Sequence, residues 1–175
     1  MNGRTVHEPE TDIDASELWG IYGTLSAVEL FPQLCPHVLI NVKIISGDGS
    51  VGTILQLTFP PGDPSARAGM KKFTKVDNED YIKEAKAIEG DILKLGFLSY
   101  MIQMEVIAKG PALSVLRLTV EYENDDTHPN LESKVSIAPL AAIAQVFAKY
   151  VKENKVPQVS SKNSLYQSLS RHINE

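Results

Sequence analysis

The chain has one cysteine and one tryptophan among 175 residues, and it lacks both a basic run and a clustered set of histidines. Cys35 has no partner for an intramolecular disulfide, and a lone thiol suits a reducing compartment. Its small apolar side chain fits a buried position better than a nucleophile's role. Lys and Arg total 17 against 22 Asp and Glu, a formal net charge of −5. A nucleic-acid surface requires a basic patch or stripe, so nucleic acid is not an expected partner. His7, His37, His128 and His172 are scattered without metal-ligand spacing, and no metal is expected. The longest apolar stretch, Val135 to Val151, contains Pro139, Gln145 and Lys149. It is too short and too polar for a bilayer span, so no membrane partner is expected. Around Arg4, His7, Glu8 and Glu10 there is no apolar h-region of a secretory signal. The expected location is the cytoplasm, and the expected state is a monomer or weak dimer.

What is present begins with glycine. Gly47-Asp48-Gly49-Ser50-Val51-Gly52 satisfies the spacing of a dinucleotide-binding loop. Such a loop needs a helix directly after it, because the helix N-terminus holds the pyrophosphate. The next segment, Thr53-Ile54-Leu55-Gln56-Leu57-Thr58-Phe59, is instead rich in β-branched and apolar residues and has no helical period. Val42-Lys43-Ile44-Ile45 before it is also strand-like. The loop therefore joins two strands, and Gly47, Gly49 and Gly52 are structural residues of an antiparallel sheet.

The remaining pattern is orderly. A short first strand is expected over Thr5–Ile13, weakened by Pro9. A helix opens at Asp14, the N-cap, with Glu17 three residues on as in a capping box. A second short helix runs Ala27–Leu34 and ends near Pro36. Strands follow over His37–Ser46, Val51–Phe59, Met70–Val76, Tyr81–Glu89, Leu95–Ala108 and Leu113–Glu123. Pro60-Pro61-Gly62-Asp63-Pro64 is a turn, and Gly90-Asp91 is a corner. From about Leu131 to Lys152, Ile137, Leu140, Ala141, Ala144, Phe147, Ala148 and Val151 repeat at helical spacing. Residues beyond Asn154 are polar and serine-rich, as in a loose tail. Strands grouped together with helices segregated give an α+β fold. A strongly curved antiparallel sheet closed by one long helix would leave a cavity between them. Residues 5–155 are expected to form a single ligand-cavity domain, with 156–175 as its tail.

Several stretches carry a family resemblance. Ile45-Ser46-Gly47-Asp48-Gly49-Ser50-Val51-Gly52-Thr53-Ile54-Leu55 resembles the glycine loop of the birch-pollen-allergen superfamily, the pathogenesis-related class 10 proteins. Phe59-Pro60-Pro61-Gly62, the run Lys72-Phe73-Thr74-Lys75-Val76-Asp77-Asn78-Glu79 and the run Ile88-Glu89-Gly90-Asp91-Ile92-Leu93-Lys94-Leu95-Gly96 resemble the plant norcoclaurine synthases, as does Pro139-Leu140-Ala141-Ala142-Ile143-Ala144. The resemblance implies a seven-stranded sheet wrapped around the long helix, two short helices in a V and an elongated apolar cavity (the helix-grip, START-like arrangement). It also implies a Pictet–Spengler condensation of dopamine with 4-hydroxyphenylacetaldehyde in benzylisoquinoline alkaloid metabolism, with no metal or organic cofactor.

Carried over residue by residue, the resemblance puts the synthases' catalytic lysine on Lys83. Their tyrosine and glutamate before the Lys-Phe pair fall on Gly69 and Lys71, and their aspartate falls on Ile102. An ammonium or an isoleucine cannot replace a carboxylate base, and each general acid–base group is worth about 10²–10⁴-fold. The implied reading is a cavity protein binding an aromatic amine or alkaloid, with most synthase groups replaced. The alternatives are an enzyme using Lys83 as acid–base, on the synthase substrates or a related alkaloid, and a plant defence or hormone-binding protein.

The residues add their own expectations. Strand alternation points Lys71 and Lys83 inward on adjacent strands, where a neighbouring cation and desolvation would lower a lysine pKa. Such a lysine serves as a base or as a Schiff-base nucleophile toward an aldehyde; a solvated Lys71 at the cavity mouth is the alternative. Leu98, Tyr100, Ile102 and Met104 share a strand face by period two. With Phe73, Leu55, Leu57, Leu140, Ala144 and Phe147 they form an apolar lining suited to a flat aromatic ligand.

Overall fold

A computed structural model of the chain describes residues 2–60, 68–128 and 130–154. Beyond Pro60, the expected Pro60–Pro64 turn lies outside the described residues, as does the tail over 156–175. Among the described residues, eight antiparallel strands form one sheet: β1 (Asn2–His7), β2 (Glu10–Thr11), β3 (Asn41–Ser46), β4 (Ile54–Thr58), β5 (Gly69–Asp77), β6 (Ile82–Gly90), β7 (Phe97–Gly110) and β8 (Leu113–Asn124). Their order is β1-β8-β7-β6-β5-β4-β3, with β2 also paired to β8. The expected seven strands become eight because the first is interrupted at Glu8-Pro9. Pro9 has no N–H to donate, yet its carbonyl still accepts from Leu116 N at 3.0 Å and keeps the chain against β8.

Two short helices follow, α1 (Ala15–Tyr22) and α2 (Ser26–Leu34). Asp14 caps α1 as expected: its side chain accepts from Ser16 N at 2.9 Å, satisfying one of the otherwise unpaired N–H groups of the first turn. The strand expected from His37 starts later, at Asn41, because Val38 N and Leu39 N both turn back to the Cys35 carbonyl. The Gly90-Asp91 corner is a single helical turn, α3 (Asp91–Lys94), entered through Gly90 at φ +123°.

The glycine loop joins β3 to β4, as its flanking residues require. Gly47, Gly49 and Gly52 have φ of +99°, +102° and +95°, a region L side chains avoid. Buried Thr53 ties the loop together: its Oγ1 accepts from Gly49 N at 2.9 Å and donates to the Ser50 carbonyl at 2.8 Å. Gly52 N then donates to the Phe73 carbonyl at 2.8 Å, anchoring the loop on β5.

The long terminal helix, α4, covers 138–154 of the described residues. It begins later than its periodicity suggests. Leu131–Lys134 is a separate 3₁₀ turn, and Val135 is extended, so Pro139 sits in the first turn, where its missing N–H costs nothing. The most apolar window within 131–154 has a mean hydropathy of 1.3, enough by length and composition to cross a membrane, contrary to the expectation above. Here Ile143, Ala144, Phe147 and Val151 are buried in a core shared with Leu18, Trp19 and Tyr22 of α1 and with Leu116 and Leu118 of β8. Trp19 is fixed further by stacking on Tyr81 at 5.4 Å and by its Nε1 donating to Asn78 Oδ1 at 3.0 Å.

Candidate functional site

Between the concave sheet face and the helices lies a cavity of about 250 Å³. Leu55 and Leu57 of β4, Phe73 of β5, Tyr100, Ile102 and Met104 of β7, and Leu140 and Phe147 of α4 all line it, as alternation predicts. Gly69, Lys71 and Lys83 line it too. Tyr22, Phe31 and Phe147 give it an aromatic end, with Phe147 5.4 Å from Tyr22 and 5.9 Å from Phe31 between ring centroids.

Two expected lining residues are elsewhere. Leu98 is 59% exposed and lies off the cavity. The register of β7 on β8 shifts between Phe97 and Ser99, so the period-two count fails there, and Phe97 is buried instead. Ala144 is buried in the core, packed between helix and sheet, and does not reach the cavity. Other lining residues were not anticipated. Ala85, Ala87 and Glu89 follow Lys83 at period two on β6 and could have been found by extending the same count. Tyr22, Ser136 and Pro139 come from segments whose approach no local pattern reveals.

Lys83 is 2% exposed. Its Nζ donates to the Tyr22 carbonyl at 3.0 Å and the Thr24 carbonyl at 3.4 Å, and lies 4.2 Å from the centroid of the Phe73 ring. Tyr22 is the last residue of α1, and carbonyls at a helix C-terminus lack intrahelical donors and carry the negative end of the dipole. They accept the ammonium protons, while the ring face adds a cation–π contact. Burial still pushes the Lys83 pKa down to about 8.

Lys71, itself half-buried, sits on β5 opposite Leu55 of β4 and Ala87 of β6, both buried. Burial pushes it down to about 8 as well. The expected pair of neighbouring cations does not form. Lys83 is opposite Val76, four residues along β6 from Ala87, a separation of roughly 13 Å at about 3.3 Å per residue. Desolvation alone lowers both lysines. Gly69 contributes only backbone: a Cβ there would stand 2.4 Å from the Glu89 carbonyl oxygen, so no larger side chain fits without moving β6. Tyr22 and Tyr100 hydroxyls are held above their ordinary range by burial, so both stay neutral donors. Among the described lining residues Glu89 is the only carboxylate, and it is exposed at the rim. The cavity thus offers one lysine anchored by carbonyls, a second lysine in an apolar wall, and aromatic surface.

The family model of the pathogenesis-related protein Bet v 1 family matches residues 1–162. Norbelladine synthase of Narcissus pseudonarcissus is 37% identical over 155 residues, covering 89% of this chain and 95% of that protein. S-norcoclaurine synthase of Thalictrum flavum subsp. glaucum is 35% identical over 150 residues, covering 85% of this chain and 70% of that protein. The solved structure of Thalictrum flavum norcoclaurine synthase in complex with dopamine and hydroxybenzaldehyde superposes with a TM-score of 0.79 at 34% identity, over 87% of this chain and 88% of that one. Ginseng major latex-like protein 151, at 18% identity and a TM-score of 0.72, shares the fold. By this family match and these relatives, the chain belongs to the pathogenesis-related Bet v 1 family, among relatives that include norcoclaurine and norbelladine synthases.

Proposed function

We propose that the cavity binds an aromatic amine together with an aromatic aldehyde and catalyses their condensation, with Lys83 moving the proton at the carbonyl oxygen. The observation that carries this reading is the placement of Lys83, buried on the cavity wall with its ammonium held by two carbonyls. A pKa of about 8 lets it give and regain a proton near neutral pH. The aromatic lining suits two flat rings, and the names of the relatives favour the same substrate class.

Ring closure makes a different demand. After the imine forms, cyclisation onto the arene ends in loss of a ring proton to a base. The positions that the synthase resemblance assigns to a tyrosine, a glutamate and an aspartate hold Gly69, Lys71 and Ile102 here. That favours imine formation over cyclisation. The same replacements support a second reading, a binding protein for an aromatic amine or alkaloid that performs no turnover.

The test uses purified protein with dopamine and 4-hydroxyphenylacetaldehyde. Imine formation is followed by stopped-flow absorbance and cyclised product by chiral mass spectrometry, with Lys83→Ala alongside. Imine formation faster than the protein-free rate, lost in Lys83→Ala, is the expected result. Rates equal to background for both proteins would leave the binding reading in its place. Enantiomeric excess in cyclised product would overturn the inference from the replaced groups.

A further inference from the structure

Three lysines, Lys71, Lys83 and Lys134, line one cavity, and the surroundings of the first two differ. Lys83 has three stabilising contacts for its charge: two carbonyl oxygens and the Phe73 ring. Lys71 has none; among the described residues it makes no hydrogen bond and no ion pair, and its strand neighbours are Leu55 and Ala87. Glu89, opposite adjacent Met70, lies in no ion pair with it. Among the described residues, the other titratable groups facing the cavity are Lys83, Lys134, Tyr22 and Tyr100, and none of these supplies a negative charge near neutral pH. With no acceptor among the described residues, the half-buried Lys71 ammonium gains little to offset its partial desolvation, so the neutral amine with its free lone pair is more populated at Lys71 than at an exposed lysine.

From this geometry we infer that Lys71 is a nucleophilic lysine that captures the aldehyde as a Schiff base, while Lys83 stays the anchored proton donor. The inference rests on the aldehyde-binding part of the reading above. The Lys71 nitrogen attacks the carbonyl carbon. A C–N bond forms, the π pair moves to oxygen, and one amine proton follows it to give the carbinolamine. The second amine proton leaves with the hydroxyl as water, and the C=N bond closes. The incoming aromatic amine then adds to the imine carbon. Its two protons pass to the Lys71 nitrogen, which departs as the free amine and leaves the imine of the two substrates. Desolvation that lowers Lys71 to about 8 keeps a usable neutral fraction at neutral pH.

Reductive trapping tests this directly. The full chain is incubated with 4-hydroxybenzaldehyde and sodium cyanoborohydride, without amine, and analysed by intact mass and peptide mapping. The expected result is one dominant adduct at Lys71, at least tenfold above any exposed lysine. It should be lost in Lys71→Met and kept in Lys72→Met, whose side chain is exposed. Labelling spread evenly over the exposed lysines, or concentrated on Lys83, would overturn the inference, and wild-type mapping decides this without relying on a variant's folding. The two proposals fail separately: a Lys71 adduct without catalysed condensation removes the enzymatic reading alone, and catalysed condensation without a Lys71 adduct removes the Schiff base alone.

Discussion

The Lys83 ammonium is bonded to the backbone carbonyl of Tyr22 at 3.0 Å, across 61 positions of sequence, and so joins β6 to the end of α1. The contact does two things. It gives acceptors to a charge that would otherwise be buried alone, and it fixes the ammonium at the cavity wall. Lys83→Met keeps the volume but removes the proton donor. Condensation is expected to fall by about 10²–10⁴-fold. Stability should change by less than about 1.5 kcal/mol, because relief of a buried charge offsets two orphaned carbonyls. Chemical denaturation and stopped-flow rates on the same preparation check both.

The two desolvated lysines make stability depend on pH. Each has a folded pKa of about 8 against an ordinary lysine value of 10.5. Between these values the unfolded chain holds more protons than the folded one, so stability rises with pH. Below pH 8 both states are protonated and the penalty of the buried charge is fully felt. From pH 8 to 9 the gain is on the order of 1 kcal/mol per lysine. Cys35 opposes part of this rise from about pH 8 upward, and Tyr22 opposes it at higher pH, because both have raised pKa values and ionise more readily once unfolded. Urea midpoints should therefore increase from pH 8 to pH 9 in the wild type and stay flat or fall slightly in the Lys71→Met, Lys83→Met double variant. A flat wild type would mean the lysines are hydrated.

Leu98 and Ile102 lie on the same strand but not on the same surface. Leu98→Ser removes an exposed side chain and should leave affinity for an aromatic ligand within about twofold. Ile102→Ser takes apolar surface from the cavity wall and should weaken binding roughly four- to fifteenfold, as expected for the loss of one or two buried methylene groups at about 0.8 kcal/mol each. Fluorescence titration with a hydrophobic aromatic probe distinguishes them, and equal effects would contradict the bulge at the start of β7.

The glycine loop offers a graded test of backbone conformation. At Gly52, φ is +95° but an added Cβ meets nothing within 4 Å, so Gly52→Ala bears only the left-handed cost, about 1–2 kcal/mol. At Gly47, φ is +99° and a Cβ would stand 2.7 Å from the Thr53 Cα, a backbone atom that cannot rotate away. Gly47→Ala is expected to cost roughly 3 kcal/mol or more. Thermal unfolding should rank Gly47→Ala well below Gly52→Ala.

Much of this architecture is legible in the residues alone. The β-branched run after Gly52 marks a strand rather than a phosphate-binding helix, because side-chain shape restricts backbone choice locally. Strand alternation is equally local and places Leu55, Phe73, Lys83 and Ile102 on the cavity wall. The failures occur where one element acts on another. Leu98 was lost to a register shift set by pairing with β8, and the start of α4 was set by a 3₁₀ turn that leaves Pro139 in the first helical turn.

By itself the sequence determined the inward faces, the turn glycines and the presence of two lysines within the sheet, since each follows from the preferences of a few consecutive residues. Only the tertiary structure decided that those lysines differ. Lys83 meets the carbonyls of Tyr22 and Thr24, while Lys71 meets Leu55 and Ala87. The charge state of a buried amine depends on acceptors that folding delivers from distant parts of the chain, and no local pattern contains them.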